Sequence, residues 1–254
     1  MDDSKQEFLN SLDLIDQEVE AYIPVILEDL WELGSMPEYI IQLIKENVNP
    51  LNIHKITDFG CGKGAVLIKL ALEFAFDGVG VDIVPEFIAS AQKYAVENHV
   101  SNRIKFKIGD LKDIISNTQD NDLVIYGYDS GILGSVKASL LQLKKCISEQ
   151  GWIILEVAYT PDAKDQLEGL PSERELYRQI EESGLQMMGK ILWDQREIRK
   201  VNHRNNHLIQ SKIKELTAVH PDKAQLFQRY MDNQLEECRQ IENDMICSTW
   251  LFRK

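Results

Sequence analysis

The chain has 254 residues, enough for one large α/β domain with an added cap or for two small domains. Asp and Glu outnumber Lys and Arg by 41 to 28, and the resulting net charge of −13 is spread along the whole chain. This balance argues against binding to nucleic acid or anionic membranes, which requires clustered Lys and Arg.

The chain contains no apolar run of about 18 residues, and its start lacks the basic and apolar regions of a signal peptide. These features predict a cytoplasmic protein without membrane insertion. The four cysteines form no Cys-x-x-Cys pair, so the sequence predicts neither a disulfide framework nor a metal site.

The N-terminal region reads as helical. Residues 14–33 carry a helical apolar pattern that is interrupted at Pro24, which predicts two helical pieces. Ser35 and Glu38 match a capping box, which predicts a helix over residues 36–48.

A glycine-rich loop follows. The stretch Asp-Phe-Gly-Cys-Gly-Lys-Gly at positions 58–64 lies between a predicted strand at 53–57 and a predicted helix at 65–72. Position 65 is Ala, so the dinucleotide spacing Gly-x-Gly-x-x-Gly is not met. The carboxylate of Asp58 would repel a pyrophosphate but attract an ammonium or sulfonium group. S-adenosylmethionine (SAM) carries both cations and no phosphate.

Three further strands are predicted to end at the same edge. The strand at 78–83 contains Asp82 near its end, about 20 residues after the loop, where an acid can bind ribose hydroxyls. Pro85 suits the first turn of the next helix. The strand at 104–108 ends in Gly109-Asp110-Leu111, and a fourth strand covers 122–126.

Taken in order, these motifs resemble those of the class I SAM-dependent methyltransferases, in particular small-molecule enzymes of the ubiquinone and menaquinone type. The resemblance implies that Asp82 holds the ribose, that Ile83 packs on adenine and that Asp110 with Leu111 clamps the adenine edge. The cofactor-binding residues expected from the resemblance and from the ends of the strands are Asp58, Gly60, Cys61, Gly62, Gly64, Asp82, Ile83, Gly109, Asp110, Leu111 and Tyr126. A redox or nucleophilic role is not expected for Cys61, because no His or second Cys lies nearby in the sequence.

The C-terminal half continues the alternation of helices and strands. A helix is predicted at 134–148 and ends at Gly151, and a buried strand follows at 152–158. Ser172 and Glu175 form a second capping box, whose helix stops near Gly184. Strands are predicted at 185–193 and 245–252.

About 50 residues between these last two strands read as two helices broken at His220-Pro221, and they form a candidate lid. The expected fold is a Rossmann-like, doubly wound, seven-stranded, mostly parallel α/β sheet with helical lid elements. We divide it into N-terminal lid elements at 1–48, the SAM-binding core at 49–193, the lid insertion at 194–242 and the last strand of the core at 243–254.

Catalytic residues are harder to identify, because methyl transfer mainly requires alignment and removal of a proton. Candidates are Tyr128, Asp129 and His203, and the substrate-binding candidates are Tyr22, Tyr128, Tyr159 and Trp193. Each also has a structural interpretation as a packing aromatic, a helix cap or a solvated side chain. His203 and His207 share a predicted helix face but lack the carboxylate of a His-Glu-x-x-His site, so no metal is predicted.

The sequence therefore predicts a SAM-dependent methyltransferase that acts on a small metabolite, as a monomer or homodimer, and releases S-adenosylhomocysteine (SAH). Three alternatives remain: a SAM-binding regulatory protein without catalysis, a protein or tRNA methyltransferase, and a nicotinamide oxidoreductase, which Asp58 and Ala65 disfavour.

Overall fold

The computed structural model of this chain describes residues 17–129, 132–164, 167 and 169–254. Its centre is a seven-stranded sheet with the strand order β3-β2-β1-β4-β5-β7-β6. The strands are β1 Lys55–Phe59, β2 Asp77–Asp82, β3 Ile104–Ile108, β4 Asn121–Gly127, β5 Ile147–Tyr159, β6 Gln186–Leu192 and β7 Ile246–Arg253. Only β7 runs antiparallel to its neighbours, β5 and β6. The predicted fold class is confirmed.

Helices cover both faces of the sheet. They are α1 Ile23–Ile26, α2 Pro37–Asn47, α3 Ala65–Glu73, α4 Pro85–Glu97, α5 Leu111–Ser116, α6 Val136–Cys146, α7 Glu173–Ser183, α8 Gln195–Val219 and α9 Ala224–Asn243. A 3-10 helix, Gln17–Tyr22, leads directly into α1. Among the described helices, none combines the length and apolar content that a membrane span would need.

Two hydrophobic cores flank the sheet because its parallel strands are buried on both faces. One core packs α2, α3 and α4 against residues such as Ile56 and Ile154. The other packs α5, α6 and α7 against residues such as Phe59 and Leu155. Side chains alternate along each strand, so Asp58 points to the same face as Ile56.

A third core joins the N-terminal segment to α8, α9 and the start of α4. We call it the lid core; its buried members are Val19, Ile23, Ile26, Leu27, Leu30, Val84, Phe87, Ile209, Ile213, Leu216, Leu226, Phe227 and Met231. The partly buried Ile83 packs against it. The lid core therefore lies beside the end of β2.

Two predicted helix starts have different outcomes. Ser172 accepts a hydrogen bond from the Glu175 amide at 3.2 Å, which confirms that capping box. Ser35 does not cap α2; the helix begins after Met36, whose amide donates to the buried Glu156 carboxylate at 3.2 Å. The predicted capping bond is not formed, because the Ser35 side chain is hydrogen-bonded to Glu156 of β5 instead.

The predicted role of Gly151 is also wrong. Helix α6 ends at Cys146, and Gly151 lies within β5, where the register with β4 shifts. A Cβ at Gly151 would come 2.6 Å from the Cβ of Ile147 and 2.9 Å from the Asn121 carbonyl oxygen. A close backbone approach, not a helix end, therefore requires the glycine.

The helical prediction for 14–33 holds only in part, and residues 14–16 lie outside the described residues. The two helical pieces meet at Tyr22, and Pro24 lies in the first turn of α1. The chain leaves the helix after Ile26. Carbonyl oxygens just beyond this point are bound by the Lys63 ammonium, which stabilises the irregular conformation.

Candidate functional site

The site lies at the carboxyl ends of β1, β2 and β4, where the strand order reverses between β1 and β4. In open α/β sheets this crevice is the usual position for ligands. The glycine loop between β1 and α3 is fixed by two bonds to the neighbouring strand: the amides of Gly60 and Cys61 donate to the Val81 carbonyl at 2.8 and 3.0 Å. The loop thus folds over the end of β2.

The three loop glycines serve different purposes. All have positive φ, which favours glycine. A Cβ at Gly60 would meet only Leu111, at 3.9 Å, so the space in front of Gly60 is open. A Cβ at Gly64 would come 2.5 Å from the ring of Phe106, whereas one at Gly62 would lie 3.3 Å from Leu33. Gly64 therefore permits close packing of α3, and Gly60 leaves room for a ligand.

Asp58 is the most unusual titratable group of the site. Its side chain is 4% exposed, and among the described residues its Oδ2 atom has no hydrogen-bond partner. Burial, together with the charges of Glu156 and Asp82, raises the pKa of the Asp58 carboxyl from 3.8 to about 8. A buried carboxyl without a partner is costly, and a cationic ligand would relieve that cost.

Asp82 ends β2 beside the loop. Its Oδ2 accepts from the Gly62 amide at 2.8 Å and its Oδ1 from the Val84 amide at 2.9 Å. Burial nevertheless raises the pKa of its carboxyl. Each carboxylate oxygen can accept a further bond, so the orientation of Asp82 is fixed while capacity for a ligand hydroxyl remains.

Asp110 lies at the end of β3 and is the N-cap of α5, where its Oδ1 accepts from the Lys112 amide at 2.8 Å. The Gly109 amide donates to the Asp82 carbonyl at 3.0 Å, so the ends of β2 and β3 are held together. Asp110 therefore caps α5 with one oxygen, and its second oxygen remains for a ligand. Leu111 is buried and lies nearest to the open space at Gly60.

A second open space lies at the end of β4. A Cβ at Gly127 would meet nothing within 4 Å. Tyr126 is 1% exposed and packs in the core on the opposite face from Asp58, and its hydroxyl donates to the Asp129 carbonyl at 3.3 Å. Burial raises the pKa of the half-buried Tyr128 to about 12, so this phenol is protonated at neutral pH.

The sequence analysis missed Glu156, at the end of β5. It pairs in register with Gly127 of β4 and Thr249 of β7, and it lies on the same face as Asp58. Its Oε1 accepts from the Met36 amide and from the Thr249 hydroxyl, each at 3.2 Å. Burial raises the pKa of its carboxyl. The available signal was a lone acid in the apolar run Ile-Ile-Leu-Glu-Val-Ala.

The other candidates are dispersed. Tyr159 is 1% exposed in the core beneath the sheet, and Tyr22 packs edge-on against Phe227 in the lid core. The indole nitrogen of Trp193 donates to the Thr249 hydroxyl at 2.8 Å, which brings Trp193 next to the Glu156 network. His203 is exposed on α8, as is its neighbour His207. Among the described residues, no group of three or more His, Cys, Asp or Glu side chains could hold a metal ion.

The residues present fit SAM. The Oδ2 atom of Asp58, which has no partner among the described residues, suits a cation, and Asp82 is oriented to accept hydroxyl groups. The open space at Gly60, next to Leu111, leaves room for the ligand. Burial also raises the pKa of the Cys61 thiol well above its usual value, which leaves this side chain neutral rather than nucleophilic.

Comparison with known proteins identifies the family. Residues 53–245 match the family model Methyltransf_31, described as a methyltransferase domain. Over 118 residues, covering 46% of this chain and 47% of the relative, the sequence is 30% identical to a ubiquinone biosynthesis O-methyltransferase of Rickettsia bellii. It is 26% identical over 115 residues to ribosomal protein L11 methyltransferase of Desulfotalea psychrophila, covering 45% of this chain and 36% of that relative. The chain thus spans about half or less of these curated relatives.

Among solved structures, a SAM-dependent methyltransferase from Geobacter sulfurreducens in complex with SAH superimposes with a TM-score of 0.74. The match covers 91% of this chain and 97% of that chain at 17% sequence identity, so it shows a shared fold. Since the family model covers most of the chain, the protein belongs to the Methyltransf_31 family of methyltransferase domains.

Proposed function

We propose that this protein transfers a methyl group from SAM to a small-molecule acceptor by in-line displacement at the methyl carbon. The observation that carries the proposal is the buried carboxyl oxygen of Asp58 beside the glycine loop, which has no hydrogen-bond partner in the described part of the chain. SAM supplies an electrophilic methyl group and two cations when it is bound. The protein has to bind the cofactor, orient the acceptor and exclude water.

The roles proposed for the cofactor site follow from its geometry. Asp58 pairs with a cation of the methionyl part, and Asp82 accepts from the ribose hydroxyls with the oxygens that Gly62 and Val84 already orient. Ile83 and Leu111 supply apolar contacts for the adenine. Asp110 accepts from the adenine amino group with the oxygen that does not cap α5.

A small acceptor is favoured by the lid. The N-terminal segment, α8 and α9 pack into the lid core, which reaches Ile83 and Val84 at the end of β2. This packing covers the cofactor edge with helices, whereas a macromolecular substrate would need an open face. The division into lid elements at 1–48 and 194–242 stays a proposal; within the first range, α2 packs with α3 and α4 and not in the lid core.

The acceptor subsite proposed here is the gap at Gly127, between Asp58 and Glu156 on one sheet face. Tyr128 follows this gap directly and is only half-buried, so it is the first candidate for contact with the acceptor. Asp129 and His203 remain candidates for removing a proton, although His203 is exposed on α8.

The relatives do not decide the acceptor, since one is named for ubiquinone biosynthesis and another for ribosomal protein L11. The net charge of −13 favours a metabolite over RNA or a ribosomal surface. A cytoplasmic location is part of this proposal.

The proposal is tested by calorimetric titration with SAH, with NADH and NADPH as controls. Asp82→Asn should weaken SAH binding roughly 10–100-fold, because a hydrogen bond to a charged group contributes about 1.5–3 kcal/mol. Asp77→Asn is the matched control, since Asp77 is exposed at the opposite end of the same strand. Equal affinity of both variants and the native protein would contradict the assignment of the site.

The transfer itself is tested with SAM and a panel of metabolites, followed by detection of SAH and of methylated product. Turnover with a small molecule supports the proposal. Tight SAM binding without turnover on metabolites, protein or tRNA would instead favour a regulatory SAM-binding protein.

A further inference from the structure

Lys63 lies inside the glycine loop, but its side chain does not face the open space at Gly60. Its ammonium group donates to three main-chain carbonyls of the N-terminal segment: those of Leu27, of Glu28 at 2.9 Å and of Leu30 at 2.7 Å. The residue is 2% exposed. A buried ammonium group is costly unless it is bonded, and here all three of its hydrogens have an acceptor.

The segment bound by Lys63 is residues 27–34, which we call the strap. A second bond runs the other way, because the Trp31 indole nitrogen donates to the Lys63 carbonyl at 3.2 Å. Leu33 lies against Gly62, within 3.3 Å of the position of a Cβ there. The strap and the glycine loop are thus joined through both the side chain and the main chain of Lys63.

The strap is also joined to the lid. Leu27 and Leu30 are buried in the lid core, and Lys212 of α8 forms ion pairs with Glu28 at 2.9 Å and Asp29 at 3.5 Å. The strap therefore lies between the loop that would contact the cofactor and the helices that would cover it. Lys63 joins the glycine loop to the strap and, through the strap, to the helices of the lid core.

We propose that Lys63 is a positioning residue that makes cofactor binding and closure of the strap depend on each other. The proposal rests on the proposed function, because it takes the glycine loop as part of the SAM site. When the strap is bound to Lys63, the loop is held in the conformation that presents Gly60 and Gly62. When a ligand fixes the loop, Lys63 is held where the strap can bind it. Such coupling is reciprocal by thermodynamic necessity.

The structure also indicates why a lysine is suited to this position. The acceptors are carbonyl oxygens of irregular backbone after α1, which lack helical partners. Desolvation lowers the pKa of the Lys63 ammonium to about 8, against the raising effect of Glu28 and Asp29. The group is therefore mostly charged at pH 7 and donates three bonds.

The experiment measures SAH affinity by calorimetry and hydrogen exchange of the strap amides with and without SAH. In the native protein we expect SAH to slow exchange at residues 27–34 by roughly tenfold or more, while the edge strand β6, which contributes none of the proposed cofactor-binding residues, stays unchanged. In Lys63→Met we expect fast exchange of the strap in both conditions and a roughly tenfold loss of SAH affinity. Lys63→Arg, which retains a cationic donor, should recover part of both effects.

The matched control is Lys45→Met, which makes the same substitution at an exposed residue paired with Glu73 and without contact to the strap. It should leave affinity and exchange unchanged. Circular dichroism and the unfolding midpoint establish that each variant is folded. If Lys63→Met does not fold, the response of the native strap to SAH still decides the proposal.

Two results would overturn the inference: strap exchange in the native protein that does not respond to bound SAH, or a folded Lys63→Met variant with native SAH affinity and native protection. Failure of the native protein to bind SAH at all would instead refute the proposed function. The two failures are therefore distinguishable.

Discussion

We predict that Asp58 makes the binding of SAH depend on pH. Its carboxyl has a pKa of about 8 in the protein, so at pH 6–7 it is protonated when no cation is present. A bound ammonium group favours the ionised form, so binding must release this proton. Protons therefore compete with SAH, and affinity rises as the pH rises toward 8.

The size of the effect follows from linkage. With a pKa of about 8, about 90% of Asp58 is protonated at pH 7, so binding should release about 0.9 proton. If bound SAH lowers the pKa of Asp58 to about 5 or below, the dissociation constant should fall roughly eight- to ninefold between pH 6 and pH 7. The ammonium group of SAH stays largely protonated over this range.

The assay is calorimetry in buffers with different enthalpies of ionisation, which reports the number of protons released. Asp58→Asn preserves the shape of the side chain and removes its titration, so its affinity should be nearly constant between pH 6 and pH 7. A flat pH profile in the native protein, or equal proton release from the native protein and Asp58→Asn, would refute the reasoning.

Two further predictions concern substitutions of Glu156 and of two strand glycines. Glu156→Leu should lower the free energy of unfolding by about 2–4 kcal/mol in a denaturant titration, because it leaves the Met36 amide and the Thr249 hydroxyl buried without an acceptor. Glu156→Gln keeps an acceptor oxygen, so its free energy of unfolding should fall by less. Equal losses in the two variants would contradict this account. Gly127→Ala should leave the unfolding midpoint unchanged but impair methyl transfer, because the added Cβ enters the open space at the end of β4. Gly80→Ala should instead destabilise the fold by about 1–3 kcal/mol, because the added Cβ would lie 2.6 Å from the ring of Phe106. A stable Gly80→Ala variant would show that the ring can move.

Much of the fold could be predicted from the sequence because the relevant signals are local. The strand at 104–108 matches β3, and the helix at 65–72 matches α3 to within one residue. Ser172 caps α7 through an amide three residues away, and such a contact depends only on neighbouring residues. The glycine loop and the acid at the end of β2 were recognisable for the same reason.

Ser35 shows where local reasoning failed. The capping-box pattern is present, yet the Met36 amide donates to Glu156, which is 120 residues away in the sequence. Only the tertiary structure brings this carboxylate to the start of α2, where the Ser35 side chain is hydrogen-bonded to it and does not cap the helix.

The sequence by itself determined the order of strands and helices and the chemical groups at the strand ends, because alternation, turn residues and helix caps act over a few positions. Only the tertiary structure decided how those groups are used. Among the described residues it left the Oδ2 atom of Asp58 without a hydrogen-bond partner, and it turned Lys63 away from the open space and toward a segment more than 30 residues earlier in the chain. Burial and hydrogen-bond partners depend on contacts distant in sequence, and the sequence pattern does not contain them.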